Sequence, residues 1–252
     1  CDLVSSEQLE MGEEADFTVP TGNFGNILAA YYAKRMGLPV GRLVCASNKN
    51  NVLTDFIRTG AYNAKRTFYK TMSPSMDILV SSNLERLLFE LSGRDAARTK
   101  ERMKSLSETG KYSLTPEELT DLRAQFSAGF TSEDDTVECI YEYFTEYGYP
   151  MDTHTGVAMS VADRYLENRD PLAPKRVMVV VSTASPYKFP QDVLYALTGN
   201  DVKDSFKCVK RINLLTAMKV PAAIKGVRYK PVLFKTSVAP KEIGTEVLKF
   251  VE

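Results

Sequence analysis

"FTVPTGNFGNILAAYYAKRMGLP" runs from Phe17 to Pro39. Its first part, Phe17 to Pro20, is a short apolar run that reads as a buried strand. A loop with two glycines and two asparagines follows. From Asn26 to Met36 the apolar residues fall at helical spacing, with Gly37 as the stop and Pro39 just beyond. "RLVCAS", Arg42 to Ser47, reads as a second strand. A strand, a helix and a strand in succession favour a parallel sheet with a right-handed crossover. The expected fold class is therefore α/β: an open, mostly parallel sheet with flanking helices.

The pattern extends outward from there. "NVLTDFIRTG", Asn51 to Gly60, reads as a helix ended by glycine, and "DILVSS", Asp77 to Ser82, as a third short strand or extended segment. "NLERLLFELSG", Asn83 to Gly93, places its leucines at helical spacing. Residues 1–94 thus form the first part of the α/β domain. Residues 95–150 are charged and lack strand signals, so they are expected to be a helical insertion. Thr115 before Pro116 is an N-cap followed by proline at the first helical position. Residues 151–252 resume the α/β pattern, with "RVMVVVST", Arg176 to Thr183, as the strongest and expectedly central strand.

Bulk properties exclude several classes. Lys plus Arg and Asp plus Glu are both 32, so no basic excess suits nucleic acid or an anionic membrane surface. The longest apolar runs are far too short to span a bilayer. Four cysteines without CxxC spacing and a single histidine argue against a metal site and for reduced thiols, hence a cytoplasmic protein. The opening "CDLVSSEQLEMGEEADF" has no initiator Met and leads at once into a strand, as expected of a piece of a longer polypeptide.

Helix N-termini leave unpaired N–H groups and a partial positive charge, and a glycine turn lets a ligand approach them. "TGNFGN" stands where such a phosphate cup belongs: Gly22 and Gly25 free the backbone, and Asn23, Asn26 and Thr21 add polar side chains. It carries neither the GK[ST] of a P-loop nor the GxGxxG of a dinucleotide site. On pattern alone a tight strand-to-helix turn is an equal reading.

"VPTGNFGN" resembles the phosphate-binding loop of threonine synthase, a fold-type II pyridoxal-phosphate enzyme. Four further stretches agree in order: "CASNKNNVL", "MDILVSSNLERLLFEL", "DTHTGVA" and "VVSTASPYKFP". Two departures stand out, Thr153 in place of the usual Pro and Ser185 in place of the common His. The resemblance implies the large-domain fold of the tryptophan-synthase β type. It also implies pyridoxal 5′-phosphate held by Gly22, Asn23, Phe24, Gly25 and Asn26, with Thr183 at the pyridine nitrogen. The implied reaction converts O-phospho-L-homoserine and water to L-threonine and phosphate. Candidates for the substrate, which carries its own phosphate, are Asn48, Asn51, Asn83, Arg86, His154 and Lys188. Each has a plain structural alternative: His154 a satisfied core group, Arg86 a surface ion-pair partner, Lys188 a solvated charge, Thr183 a strand-end cap.

The family's Schiff-base lysine, which also moves protons, precedes the glycine loop. None of the sixteen residues before Phe17 is a lysine. No catalytic residue is therefore expected in this chain, which alone should be inactive and should need the N-terminal half of the enzyme as partner. A related phospho-lyase and a non-catalytic phosphate-binding remnant are the alternatives.

Overall fold

The computed structural model describes residues 2–251. The expected outer ends of the first and last segments, Cys1 and Glu252, lie outside them. The chain forms two compact units that part between Met218 and Lys219.

In the first unit, helix α1 (Asp2–Ser5) precedes β1 (Ala15–Pro20), α2 (Gly25–Arg35), β2 (Val40–Ser47), α3 (Val52–Thr59) and β3 (Ala61–Asn63). Next come α4 (Leu84–Leu91), α5 (Ala96–Thr109), β4 (Lys111–Ser113), α6 (Pro116–Gln125), β5 (Phe126–Phe130) and α7 (Glu133–Tyr147). Helix α8 (Thr153–Glu167), β6 (Met178–Val180), α9 (Pro190–Thr198) and α10 (Ser205–Thr216) complete it. The second unit holds α11 (Ile243–Val251) after two short 3-10 turns.

The main sheet has the order β5-β2-β1-β6, and all three pairings are parallel. The expected α/β class with a parallel sheet and flanking helices holds. Side chains alternate across a strand, and β2 shows the consequence. Leu43 and Cys45 enter a core with Ile27, Leu28, Phe56 and Leu87, while Val44 and Ala46 enter another with Val157, Ala158 and Val161 of α8. Strand β2 is thus covered on two faces, as parallel strands require.

Two expectations need correction and a third is narrowed. The run 176–183 is not central among the described residues: β6 keeps three residues and its one pairing there is with β1. Its apolar sequence reports coverage of its faces, which does not fix its neighbours. Of the two readings of residues 77–82, short strand or extended segment, the strand does not form: the Asp77 carboxylate is taken by Thr71, Asn48 and Asn50, and the Ser81 amide by the Tyr62 hydroxyl. Residues 95–150 are not wholly helical: β4 pairs with β3, and β5 is an edge of the main sheet. Both strands are short, and β5 ("FSAGF") follows α6 directly, with no turn residue between Gln125 and Phe126 to mark the change.

Candidate functional site

Phe24, between β1 and α2, stands in the left-handed region with φ 66°. That costs a bulky residue about 1–3 kcal/mol. Burial, including ring contact with Phe126 at 5.8 Å, holds it there. Phe24 is the N-cap of α2 and gives no side-chain cap, so the first-turn N–H groups of that helix are left to other acceptors. Helices α3, α4 and α9 likewise have no capping side chain, whereas α5, α6, α7, α8 and α10 have Asp95, Thr115, Ser132, Asp152 and Asp204; what sets α2 apart is the cleft that its first turn faces.

A cleft of ≈ 260 Å³ opens here, at the carboxyl ends of β1 and β6, the edge where parallel α/β sheets gather ligands. Pro20 to Asn26 line it together with Thr183, Ala184 and Lys188 from the segment after β6, and Ser75, Met76, Asn83 and His154 complete it. No carboxylate is among these residues. Gly22 is pressed against another segment: a Cβ there would lie 3.0 Å from the Ser75 carbonyl oxygen and 3.1 Å from Met76 Cα. At Gly25 a Cβ would meet only the side-chain amide of Asn83, at 3.3 Å.

All six residues expected at the cofactor therefore line one cleft. Of the six expected at the substrate, Asn83, His154 and Lys188 line it, and Asn48, Asn51 and Arg86 do not. Asn48 is buried, and its amide donates to Thr71, Ser73 and Asp77 side chains, each at 2.9 Å. Asn51 accepts from Arg66 at 3.0 Å. Arg86 donates to the Asn83 side chain, one step behind the lining. The Thr21 hydroxyl is committed to the Val19 carbonyl at 2.7 Å.

Thr183 is exposed in the cleft. Lys188 stacks its ammonium 5.2 Å from the Phe189 ring centroid. His154 is buried, with Nδ1 2.9 Å from Asp152 and Nε2 accepting the Ser75 amide at 3.2 Å. Thr153 donates to the Met72 carbonyl at 2.8 Å, a bond that proline cannot make. The segment from Tyr69 to Asp77 is thus held from two sides: by Asn48 and Asn50, and by the start of α8.

Electrostatics follow this burial. Burial pushes the Asp152 carboxyl up, but bonds from the His154 ring, Thr155 and the His154 amide outweigh it and hold it below the usual range. Burial pushes Glu133 up, against the bond it accepts from the Met72 amide. Burial pushes the Cys45 thiol up to about 12, which makes it an inert core group.

Sequence reasoning missed Asp152, Ser75 and Ser182. An Asp directly before a helical pattern is an N-cap signal that could have singled out Asp152. Ser75 and Ser182 carry no such signal, since they meet α8 only in the folded chain.

The family described as "Threonine synthase, C-terminal" matches residues 155–231. Threonine synthase from Pseudomonas aeruginosa is 41% identical over 183 residues, covering 73% of this chain and 38% of that protein. Human threonine synthase-like 1 is 39% identical over 205 residues, 81% of this chain and 27% of that protein. The chain therefore spans well under half the length of these relatives. Among solved structures, PLP-bound threonine synthase from Brucella melitensis superposes with a TM-score of 0.71 at 38% identity, covering 86% of this chain and 44% of that one. Threonine synthase from yeast gives 0.80 at 28% identity, covering 98% and 49%. The architecture is that of the fold-type II pyridoxal-phosphate enzymes.

Proposed function

The chain belongs to the threonine synthase family, and from that premise we propose that it is part of a pyridoxal 5′-phosphate enzyme converting O-phospho-L-homoserine and water to L-threonine and phosphate. The observation that carries this reading is the uncapped N-terminus of α2 in a cleft without carboxylates. Backbone donors, two glycines and one lysine fit a phosphate monoester.

When bound, the cofactor supplies the electron sink that stabilises negative charge at the substrate α carbon. The chain's own residues do the rest of the holding. Gly22 to Asn26 receive the cofactor phosphate on backbone N–H groups. The Thr183 hydroxyl would hold the pyridine nitrogen, and a hydroxyl, unlike a carboxylate, would not force a proton onto it. Lys188 and Asn83 receive the phosphate of the substrate, with Arg86 orienting Asn83. Asn48 supports from behind the cleft wall through Thr71, Ser73 and Asp77, and Asn51 is engaged by Arg66 instead.

We assign the Schiff-base lysine and its proton transfers to a segment outside this chain. We propose a cytoplasmic location, supported by the free thiols of Cys45, Cys139 and Cys208. The chain incubated with O-phospho-L-homoserine and cofactor should release no phosphate above a blank. Turnover, or borohydride fixing of cofactor to one lysine here, would overturn that assignment. Joined to a lysine-bearing segment of a longer relative, it should release threonine and phosphate in equal amounts. Phosphate with a different product would favour the second reading, a related phospho-lyase, which the comparable likeness to threonine synthase-like 1 keeps in view. No phosphate from the joined protein would favour a non-catalytic remnant.

A further inference from the structure

Asp152 is fully buried and lies outside the cleft lining, yet it reaches two of the segments that form that lining. Its Oδ1 accepts from the His154 amide and faces the ring Nδ1, each at 2.9 Å. The other ring nitrogen, Nε2, accepts the Ser75 amide at 3.2 Å. A neutral imidazole has one N–H, so acceptance at Nε2 puts the proton on Nδ1, where the carboxylate holds it. Ser75 is the residue whose carbonyl backs Gly22 of the glycine loop. On its other side, Asp152 Oδ2 accepts the Thr155 hydroxyl, and Thr155 Oγ1 lies 3.1 Å from Ser182 Oγ. Ser182 immediately precedes Thr183.

We infer that Asp152 is a positioning residue that sets both cleft segments at once, Ser75–Met76 through His154 and Ser182–Thr183 through Thr155. The inference rests on the reading of the cleft as a phosphate site. It also changes the expected role of His154. Both ring nitrogens are engaged within the protein, so His154 holds the wall behind the phosphate loop and does not take the substrate phosphate. Charge suits this arrangement: an anionic carboxylate at the N-terminus of α8 is favoured by the helix dipole, and a neutral acceptor would hold both arms less firmly.

His154 is the only histidine, so imidazole NMR of the chain reports on it alone. The wild-type ring is expected as the Nδ1–H tautomer. Asp152→Asn keeps a capping side chain and is expected to shift the backbone amides of both Ser75 and Ser182–Thr183. It is also expected to weaken inorganic phosphate, read at the Gly25 and Asn26 amides, by roughly tenfold. Thr155→Val is expected to move Ser182–Thr183 and leave Ser75 in place, and Thr155→Ser to restore the wild-type positions. His154→Phe is expected to do the reverse, moving Ser75 alone. These two variants carry the test by themselves if Asp152→Asn does not fold. A wild-type Nε2–H tautomer, or one arm unmoved in Asp152→Asn, would overturn the inference. Wild-type protein showing no phosphate response at Gly25 and Asn26 would defeat the cleft reading instead and leave the amide comparisons standing.

Discussion

Gly22 and Gly25 exclude side chains for different reasons. A Cβ at Gly22 would press on the backbone of Ser75 and Met76, which cannot step aside cheaply. Gly22→Ala is expected to destabilise the fold by about 1–3 kcal/mol, seen as a lower urea midpoint. At Gly25 the neighbour is the end of a side chain rather than backbone, so Gly25→Val should cost less than about 1 kcal/mol of stability. It should still abolish phosphate binding, because Gly25 lines the cleft. Retained phosphate affinity in Gly25→Val would show the loop to be a mere turn. Thr183→Val, in protein joined to its lysine-bearing segment, is expected to lower turnover more than cofactor affinity. One ordinary hydrogen bond is worth about 0.5–1.5 kcal/mol in affinity, while charge at the ring develops mainly during reaction. Thr183→Ser should recover most of the loss. At this scale the sequence announced the glycine loop, because its chemistry is local. It marked Asp152 only as a helix cap and did not announce Ser75, because the bond that makes Ser75 matter joins it to His154, 79 positions away.

Helices were read best where their ends carry local signals. Thr115 and Glu118 form a full capping box at the start of α6, and Gly60 and Gly199 close α3 and α9 in the left-handed region. Strands were read worst, because β4, β5 and β6 are short and their places come from pairing partners far along the chain. Helix α6 supplies a test. Glu118 and Arg102 are both buried, and their pairing joins α6 to α5. Burial pushes Glu118 up, but Arg102, the Thr115 amide and Arg98 hold it below the ordinary range. Glu118→Ala leaves Arg102 buried without its partner and is expected to cost about 3–5 kcal/mol in chemical denaturation. Removing the exposed partner with Arg98→Ala should cost under about 1 kcal/mol. Equal costs would show that the buried pair adds nothing. Helix α8 gives the pH test. Asp152 is held below its ordinary value in the fold, so its stabilisation is present above the unfolded value of about 3.9 and is lost as pH falls through the lower folded value. The stability gap between wild type and Asp152→Asn should therefore shrink as pH drops below about 4. A gap that is constant with pH would contradict the charge-based role.

Over the whole molecule, one strand–helix–strand unit placed the chain in the parallel α/β class, and the sheet bears that out. The order of the strands was not readable, since β5 and β6 flank the inner pair from distant parts of the sequence. What the sheet achieves is to bring the segments after β1 and β6 to a single cleft, with α8 behind them fixing Ser75 and Ser182. The claim that organises all of this is that the α2 N-terminus receives the phosphate of the cofactor. Pyridoxine 5′-phosphate and pyridoxine test it, since neither can condense with a lysine and they differ only in the phosphate. Titrated into the isotope-labelled chain, pyridoxine 5′-phosphate is expected to shift the amides of Gly22 to Asn26 saturably, and pyridoxine to leave them in place. Equal responses to both compounds, or phosphate-dependent shifts confined to another part of the chain, would contradict the assignment.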